Sequence, residues 1–408
     1  MAGTDAYLFG IPGGISAVKG VRSAGVACGI KREGQPDLAL VMAEGPATVA
    51  ATFTTNRVQA APVQISRGNL RGGKFSAIVL NSGNANACTG RQGLADAKAT
   101  VLEAARVLKR PVGQVFVAST GVIGRRLDMA AIRKGIAEAA SRLDVSGGSA
   151  AARAILTTDT TPKEAAISFV VKNRRVTIGG MAKGSGMIAP RMATLLAVIA
   201  TDASVAAGAL QQALKSAVDA TFNCITVDGD TSTNDMTLCF ATGASGVPAL
   251  HPGTASLRTF QIGLEMVCLS LAKMLVRDGE GATKLVEVRI TGAHTAREAR
   301  LAAEAVATSP LVKTTLFGED INWGRVLAAV GRSGAHFDPA RVDLSVDELA
   351  VVRRGMSLGS NAETAANHRM QQREFALVTN LHAGRMTARL WTTDLSEGYV
   401  RINAGYRS

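Results

Sequence analysis

The stretch Gly179-Gly-Met-Ala-Lys-Gly-Ser-Gly-Met-Ile-Ala-Pro-Arg-Met-Ala-Thr194, running on into Leu-Leu-Ala-Val-Ile-Ala200, has the residue types for nucleophilic chemistry. A glycine-rich loop ends at a hydroxyl residue where an apolar strand begins. Ala193 is small and leaves the Ala193–Thr194 peptide bond accessible. A threonine hydroxyl alone is a weak nucleophile. Cutting that bond would give Thr194 a free α-amine within reach of its own hydroxyl. An α-amine titrates near about pH 8, so it could serve as the general base without a histidine triad. The bland reading stands beside this one: a threonine at a strand start more often caps or packs, and spacing alone favours that role.

Other segments imitate functional motifs. Gly68-Asn-Leu-Arg-Gly-Gly-Lys74 fits the start of a phosphate loop, but Phe75 stands where the magnesium-binding hydroxyl belongs. The next residues, Phe75–Leu80, read as a strand, whereas a phosphate cradle needs a helix N-terminus. A surface hairpin is the expectation there. Asp228-Gly-Asp-Thr-Ser-Thr-Asn-Asp235 begins like a calcium loop, yet Thr233 and Cys239 replace the glycine and the bidentate acid;. A side-chain-capped turn between two strands is expected instead. No GxGxxG lies between a strand and a helix, and no GxSxG stands as a strand-to-helix elbow, so dinucleotide binding and a serine-hydrolase mechanism are both poorly supported. The five cysteines (Cys28, Cys88, Cys224, Cys239, Cys268) form no CxxC, and the five histidines show no ligand spacing. No metal site is expected, and most of the cysteines read as small buried residues of a reducing compartment.

The elements that must position this loop alternate between strand-like and helical stretches. Strands are predicted at Asp37–Met42, Ser76–Asn81, Val115–Ser119, Ile167–Val171, Val176–Gly179, Thr194–Ala200, Asn223–Val227 and Met236–Ala241. A hairpin is predicted around Lys172–Arg174. Helices are predicted at Gly93–Leu108, Met129–Leu143, Ala207–Thr221 and Thr259–Val276. After the turn cluster Asp278-Gly-Glu-Gly281 come a strand, Leu285–Ile290, a helix, Ala296–Ala307, and two late strands, Arg373–Thr379 and Met386–Thr392. The pattern is mixed α/β, with sheets layered against helices.

The 408 residues are 47% hydrophobic and 19% charged, enough to bury a large core without staples;. The net charge of +13 raises the question of nucleic acid;. The basic residues are scattered, with no tract and no aromatic platform, so no nucleic-acid partner is expected. The N-terminus lacks a signal-peptide pattern, and no run of 18 apolar residues occurs. The expectation is a cytoplasmic protein with no membrane partner.

The run Lys183–Thr194 closely resembles the cleavage signature of the ornithine acetyltransferase / glutamate N-acetyltransferase family of arginine biosynthesis. Further segments agree in order: Thr54-Thr-Asn-Arg57, Asn81-Ser-Gly-Asn-Ala-Asn-Ala87, Ser119-Thr-Gly-Val-Ile-Gly124, Thr157-Thr-Asp-Thr160, Ile225–Asp235, Phe317–Arg325 and Tyr399-Val-Arg-Ile-Asn403. The resemblance covers essentially the whole chain. It implies an αββα sandwich of the D-aminopeptidase/ornithine acetyltransferase type, with an additional C-terminal α/β part. It implies a catalytic core over 1–280, and over 281–408 a C-terminal part whose tail returns to the active site. Self-cleavage between Ala193 and Thr194 would give chains 1–193 and 194–408, assembled as a heterotetramer of two of each. Thr194 would carry an acetyl group from N-acetylornithine to glutamate. Thr120 and Gly121 match the oxyanion-hole pair, and Thr157, Lys183, Thr194, Glu280, Asn403 and Ser408 match the substrate contacts. No cofactor is implied. Some members take acetyl only from N-acetylornithine and others also from acetyl-CoA, and no residue here separates the two. Two departures, Arg191 and Gly405, touch no residue with an implied role. A related self-processing aminopeptidase or amidohydrolase, and a non-catalytic binding protein on the same fold, are the competing readings.

Overall fold

The computed structural model describes residues 8–32, 34–189 and 195–405. Its organising element is the 16-residue strand Leu38–Phe53. The sequence predicts that strand only to Met42. A bulge between Met42 and Ala47 carries the chain past Gly45 and Pro46 without ending it;. The first half of the strand pairs with Val21–Val26 and Lys74–Asn84, and the second half pairs with Met236–Ala241. Among the described residues this joins nine strands into one hydrogen-bonded sheet.

Side-chain alternation shows how that sheet is layered. Ala39, Val41, Ile78, Leu80, Phe116 and Ala118 from one half share a buried cluster with Leu196, Val198, Met236, Leu238 and Phe240 from the other. Phe75 and Phe240 stack across this layer with ring centroids 4.1 Å apart. The intervening residues point outward. Leu38, Leu40, Ala77, Val79, Val115 and Val117 pack under the helices Gly90–Leu108 and Met129–Ser141. Ala197, Ile199, Cys239 and Ala241 pack under Ala207–Ala220 and Ala255–Arg277. The result is the αββα sandwich that the resemblance implied, with the refinement that its two sheets share one bent strand.

The helix Ala255–Arg277 is long and apolar enough to cross a membrane. In the fold its apolar side, including Phe260, Leu264, Val267, Leu271 and Leu275, is buried in the core. It covers the hairpin of Lys163–Val171 and Arg174–Lys183. That hairpin turns through Lys172 and Asn173, both at positive φ, as a two-residue connection requires;.

A second, six-stranded sheet is formed by segments from Leu285 to Thr392, and four helices share its separate apolar core. The helix Glu397–Gly405 then returns toward the first unit.

Two local expectations fail. Asn223–Val227 is not a strand: Phe222–Cys224 is a single 3-10 turn, and Ile225 makes one isolated bridge to Trp391. The next amides are taken singly, Thr226 N–H by Trp391 and Val227 N–H by Ile188, so no ladder forms. Gly68–Lys74 is not a hairpin either. Gly68 to Leu70 end the helix Ala61–Leu70, and the strand begins at Lys74.

Candidate active site

Thr120 and Gly121 lie near the end of the strand Val115–Val122, in parallel register with Ser82 and Gly83. Gly121 has φ +125°, and a Cβ there would sit 2.4 Å from the Gly83 carbonyl carbon. Only glycine fits both the conformation and the space. Gly83 in turn lies against Ile30 and Lys31. That loop is held by Asp37, whose carboxylate accepts the N–H groups of Cys28, Gly29, Ile30 and Lys31 at 2.7–3.1 Å.

Lys183 ends the strand Arg174–Lys183 and is 3% exposed. Its Nζ donates to Thr157 Oγ1 at 2.7 Å and to Thr120 Oγ1 at 3.4 Å, and lies 3.5 Å from Asp159 Oδ2. Asp159 anchors the whole corner. It accepts the N–H groups of Thr157 and Gly184 and the ammonium of Lys163. Burial opposes its charge, but Lys183, Lys163 and the Gly184 amide outweigh burial and hold its carboxyl well below the usual carboxylate range;. Lys163 also contacts Asp278 at 2.6 Å, and the Asp278 carbonyl accepts the Ser185 hydroxyl. A buried chain of charges therefore links Lys183 to the turn carrying Glu280.

The Glu280 N–H donates to the Ser185 carbonyl at 2.8 Å. Its Oε2 accepts Asn403 Nδ2 at 2.8 Å, which ties the C-terminal helix to the site. At Gly186 a Cβ would stand 2.3 Å from that same oxygen, so a larger residue there would have to displace the Glu280 carboxylate.

Thr120, Gly121, Thr157, Lys183, Glu280 and Asn403 all line one cavity of about 220 Å³. Ala193, Thr194 and Ser408 lie outside the described residues. The described flanks of that segment are anchored on one side by an acid that lines the cavity and on the other by a buried acid next to the lining residue Asn234. Asp228, which lines it, accepts Met187 N–H at 2.6 Å and Ile188 N–H at 2.9 Å. On the other flank Leu195 N–H donates to Asp235 Oδ1 at 3.1 Å.

Reading the sequence missed Asp159, Asp228, Asp235 and Tyr399. The acids sit in Thr-, Ser- and Gly-rich runs that signal capped turns, and Asp228 does cap its own loop by accepting Asp230 N–H;. What distinguishes them is burial. Burial raises the Asp228 carboxyl above its usual range against three opposing amides, and raises Asp235 well above it. Burial first, then Asp228 and Glu280, push the Tyr399 phenol up, so it stays protonated.

The cavity has the size of an amino acid. A buried ammonium stands at one side, with Asp228, Asp230 and Glu280 elsewhere on its wall. That distribution suits a zwitterion carrying a further charge. Among the described residues no group of His, Cys, Asp and Glu is placed to hold a metal ion.

A model of the ArgJ family matches residues 22–408. The chain belongs to the ArgJ family. It is 50% identical over 400 residues to the arginine biosynthesis bifunctional protein ArgJ of Symbiobacterium thermophilum, covering 98% of this chain and 99% of that protein. It is 46% identical over 391 residues to the same-named protein of Geobacter sulfurreducens, covering 96% and 100%. A crystal structure of the ArgJ protein from Bacillus halodurans is 41% identical, covers 50% of this chain and 96% of that one, and has a TM-score of 0.49. Membership of the ArgJ family makes the chain an acetyltransferase of arginine biosynthesis.

Proposed function

We propose that this cavity moves an acetyl group from N2-acetyl-L-ornithine to L-glutamate by way of Thr194, after the chain has cut itself between Ala193 and Thr194. The carrying observation is that Thr120, Thr157, Lys183, Glu280 and Asn403, from five separate segments, meet in one small cavity. The described flanks of the Ala193–Thr194 bond are held by Asp228, which lines the cavity, and by the buried Asp235, whose neighbour Asn234 lines it.

Cleavage frees the Thr194 α-amine, which takes the proton of the Thr194 hydroxyl as that oxygen attacks the acetyl carbonyl. The tetrahedral oxyanion is met by the Thr120 hydroxyl and the Gly121 N–H. Its collapse expels ornithine and leaves acetyl on Thr194 Oγ1. The amine of glutamate then attacks this ester and regenerates the hydroxyl. Lys183 pairs with the substrate α-carboxylate and Glu280 with the ornithine side-chain ammonium. Thr157, Asn403 and Ser408 add neutral hydrogen bonds. No cofactor enters these steps, and acetyl-CoA is the natural second donor to test. We read 1–280 as the core and 281–408 as the C-terminal part, and chains 1–193 and 194–408 as assembling two and two. The five unpaired cysteines suit action in a reducing cytoplasm;.

The test is the intact mass of the denatured protein, before and after brief exposure to N-acetylornithine. Two chains splitting at 193/194 are expected, with about 42 Da gained by the later chain alone and lost again on adding glutamate. Cleavage with loss of acetyl to water, and none to glutamate, would make the protein a hydrolase. A single uncut chain would refute the mechanism.

A further inference from the structure

Lys163 opens the strand Lys163–Val171, opposite Ala182 of the strand that ends at Lys183. It is 1% exposed and stands behind the cavity wall rather than on it. An ammonium has three protons to donate, and here each has an acceptor. Asp159 Oδ1 lies at 2.7 Å, Asp278 Oδ2 at 2.6 Å and the Thr161 carbonyl at 3.1 Å. None is left for a ligand.

The two acids beside Lys163 serve opposite ends of the site. Asp159 fixes the cationic end. It accepts the N–H groups of Thr157 and Gly184 and lies 3.5 Å from the Lys183 ammonium. Asp278 fixes the anionic end. It follows the helix Ala255–Arg277 and stands two residues before Glu280. Its carboxylate accepts Thr160 N–H at 3.0 Å, Thr161 N–H at 3.3 Å and the Thr160 hydroxyl. Among the described residues no other cation pairs with both acids. A second tie runs through Ser185, whose hydroxyl meets the Asp278 carbonyl and whose carbonyl accepts Glu280 N–H at 2.8 Å. Stability does not account for the buried triad, because apolar side chains of the same volume would hold the fold as well. What a fully hydrogen-bonded network adds is rigidity, and here it fixes one charged end of the cavity against the other.

We propose that Lys163 is a positioning residue that sets the separation between the Lys183 ammonium and the Glu280 carboxylate, and so selects the N-acyl diamino acid donor by the length of its side chain. This inference rests on the reading that Lys183 takes the substrate α-carboxylate and Glu280 the side-chain ammonium. A donor one methylene shorter cannot span the two, and one a methylene longer must buckle between them. A single methylene is worth about 10- to 200-fold in kcat/KM.

The test compares three donors on cleaved protein with glutamate as acceptor: N2-acetylornithine, the shorter N2-acetyldiaminobutyrate and the longer N2-acetyllysine. Wild type is expected to prefer N2-acetylornithine over each by about 10- to 200-fold. In Lys163→Met both acids keep their amide donors but lose the tie between them, and the preference should fall to less than about a fifth of its wild-type value. Asp278→Asn keeps the shape and leaves Lys163 on Asp159, so it serves where Lys163→Met does not fold, and it should lower the preference in the same sense. A merely structural role would lower the urea midpoint and slow all three donors alike, leaving the ratio unchanged. The inference is overturned if the folded variants keep the wild-type preference, if they turn over none of the donors, or if neither variant folds. A wild type that treats the three donors alike refutes instead the pairing of Lys183 and Glu280 with the two ends of the substrate.

Discussion

At the scale of single residues, Lys183 is the side chain on which the site turns. Its ammonium is shared among Thr157, Thr120 and Asp159, all within 3.5 Å. Lys183→Met should remove the proposed partner of the substrate carboxylate, a loss of about 1.5–3 kcal/mol for a charged hydrogen bond. That corresponds to a rise of roughly 10- to 150-fold in KM for both amino acids. The fold should survive. Orphaning a buried charge costs about 3–5 kcal/mol, but Lys163 still holds Asp159 at 2.7 Å. Arginine should not rescue the variant, because its planar fork cannot stand in for a point charge between two hydroxyls and a carboxylate. Steady-state kinetics of cleaved protein decide the matter. An unchanged KM with a reduced kcat would move Lys183 from binding the substrate to the reaction step.

At the scale of elements, the site depends on how strand ends approach one another, and Gly121 is the tightest such place. Gly121→Ala must adopt φ near +125° and push its Cβ against the Gly83 carbonyl carbon, 2.4 Å away. Strain at such a position costs about 1–3 kcal/mol before any clash is counted. The expected outcome is a lower urea midpoint together with loss of transfer, since the strands carrying Thr120 and Asn84 are forced apart. Wild-type activity in this variant would remove Gly121 from the oxyanion hole. This geometry was only half legible in the sequence. The Ser119–Gly124 motif drew attention to Gly121 by resemblance, but nothing local said that its neighbour would be Gly83. Asp159 was hidden in the Thr157–Thr160 run for the same reason, since its partners Lys163, Lys183 and Gly184 belong to the next hairpin along the chain. The expected strand at Asn223–Val227 failed because an apolar run needs a neighbour to pair with. Its amides instead go one by one to Trp391 and Ile188, contacts that no periodicity encodes.

At the scale of the whole molecule, alternation and periodicity found most strands and the outer helices, because each buries one face. They could not show that Leu38–Phe53 passes through Gly45-Pro46 to serve both layers, since that dipeptide reads as a turn. The cost of building so large a core is that some ionisable groups are buried with it, and this sets the pH dependence of stability. Burial pushes Lys313 down from 10.5 to about 8, and pushes Lys31 down to about 8 as well. Below about pH 8 both forms of the chain carry these protons, and the folded form bears the full cost of burying two ammonium groups. Between about 8 and 10.5 the unfolded chain keeps protons that the folded chain has released, so stability rises with pH;. The thiols act in the opposite sense. Burial pushes Cys28 and Cys239 up from 9.0 to about 12, so above pH 9 the unfolded chain ionises while the folded one cannot, and stability falls. The lysine gain therefore goes unopposed by the thiols only between about pH 8 and 9;. Over that interval the urea midpoint should climb, then level or decline above it. In Lys313→Gln the climb should shrink by at least half, because Lys313 is 4% exposed whereas Lys31 stays partly open to water. A wild-type midpoint that falls steadily from pH 7.5 to 9 would mean that both ammonium groups are better solvated than their burial implies.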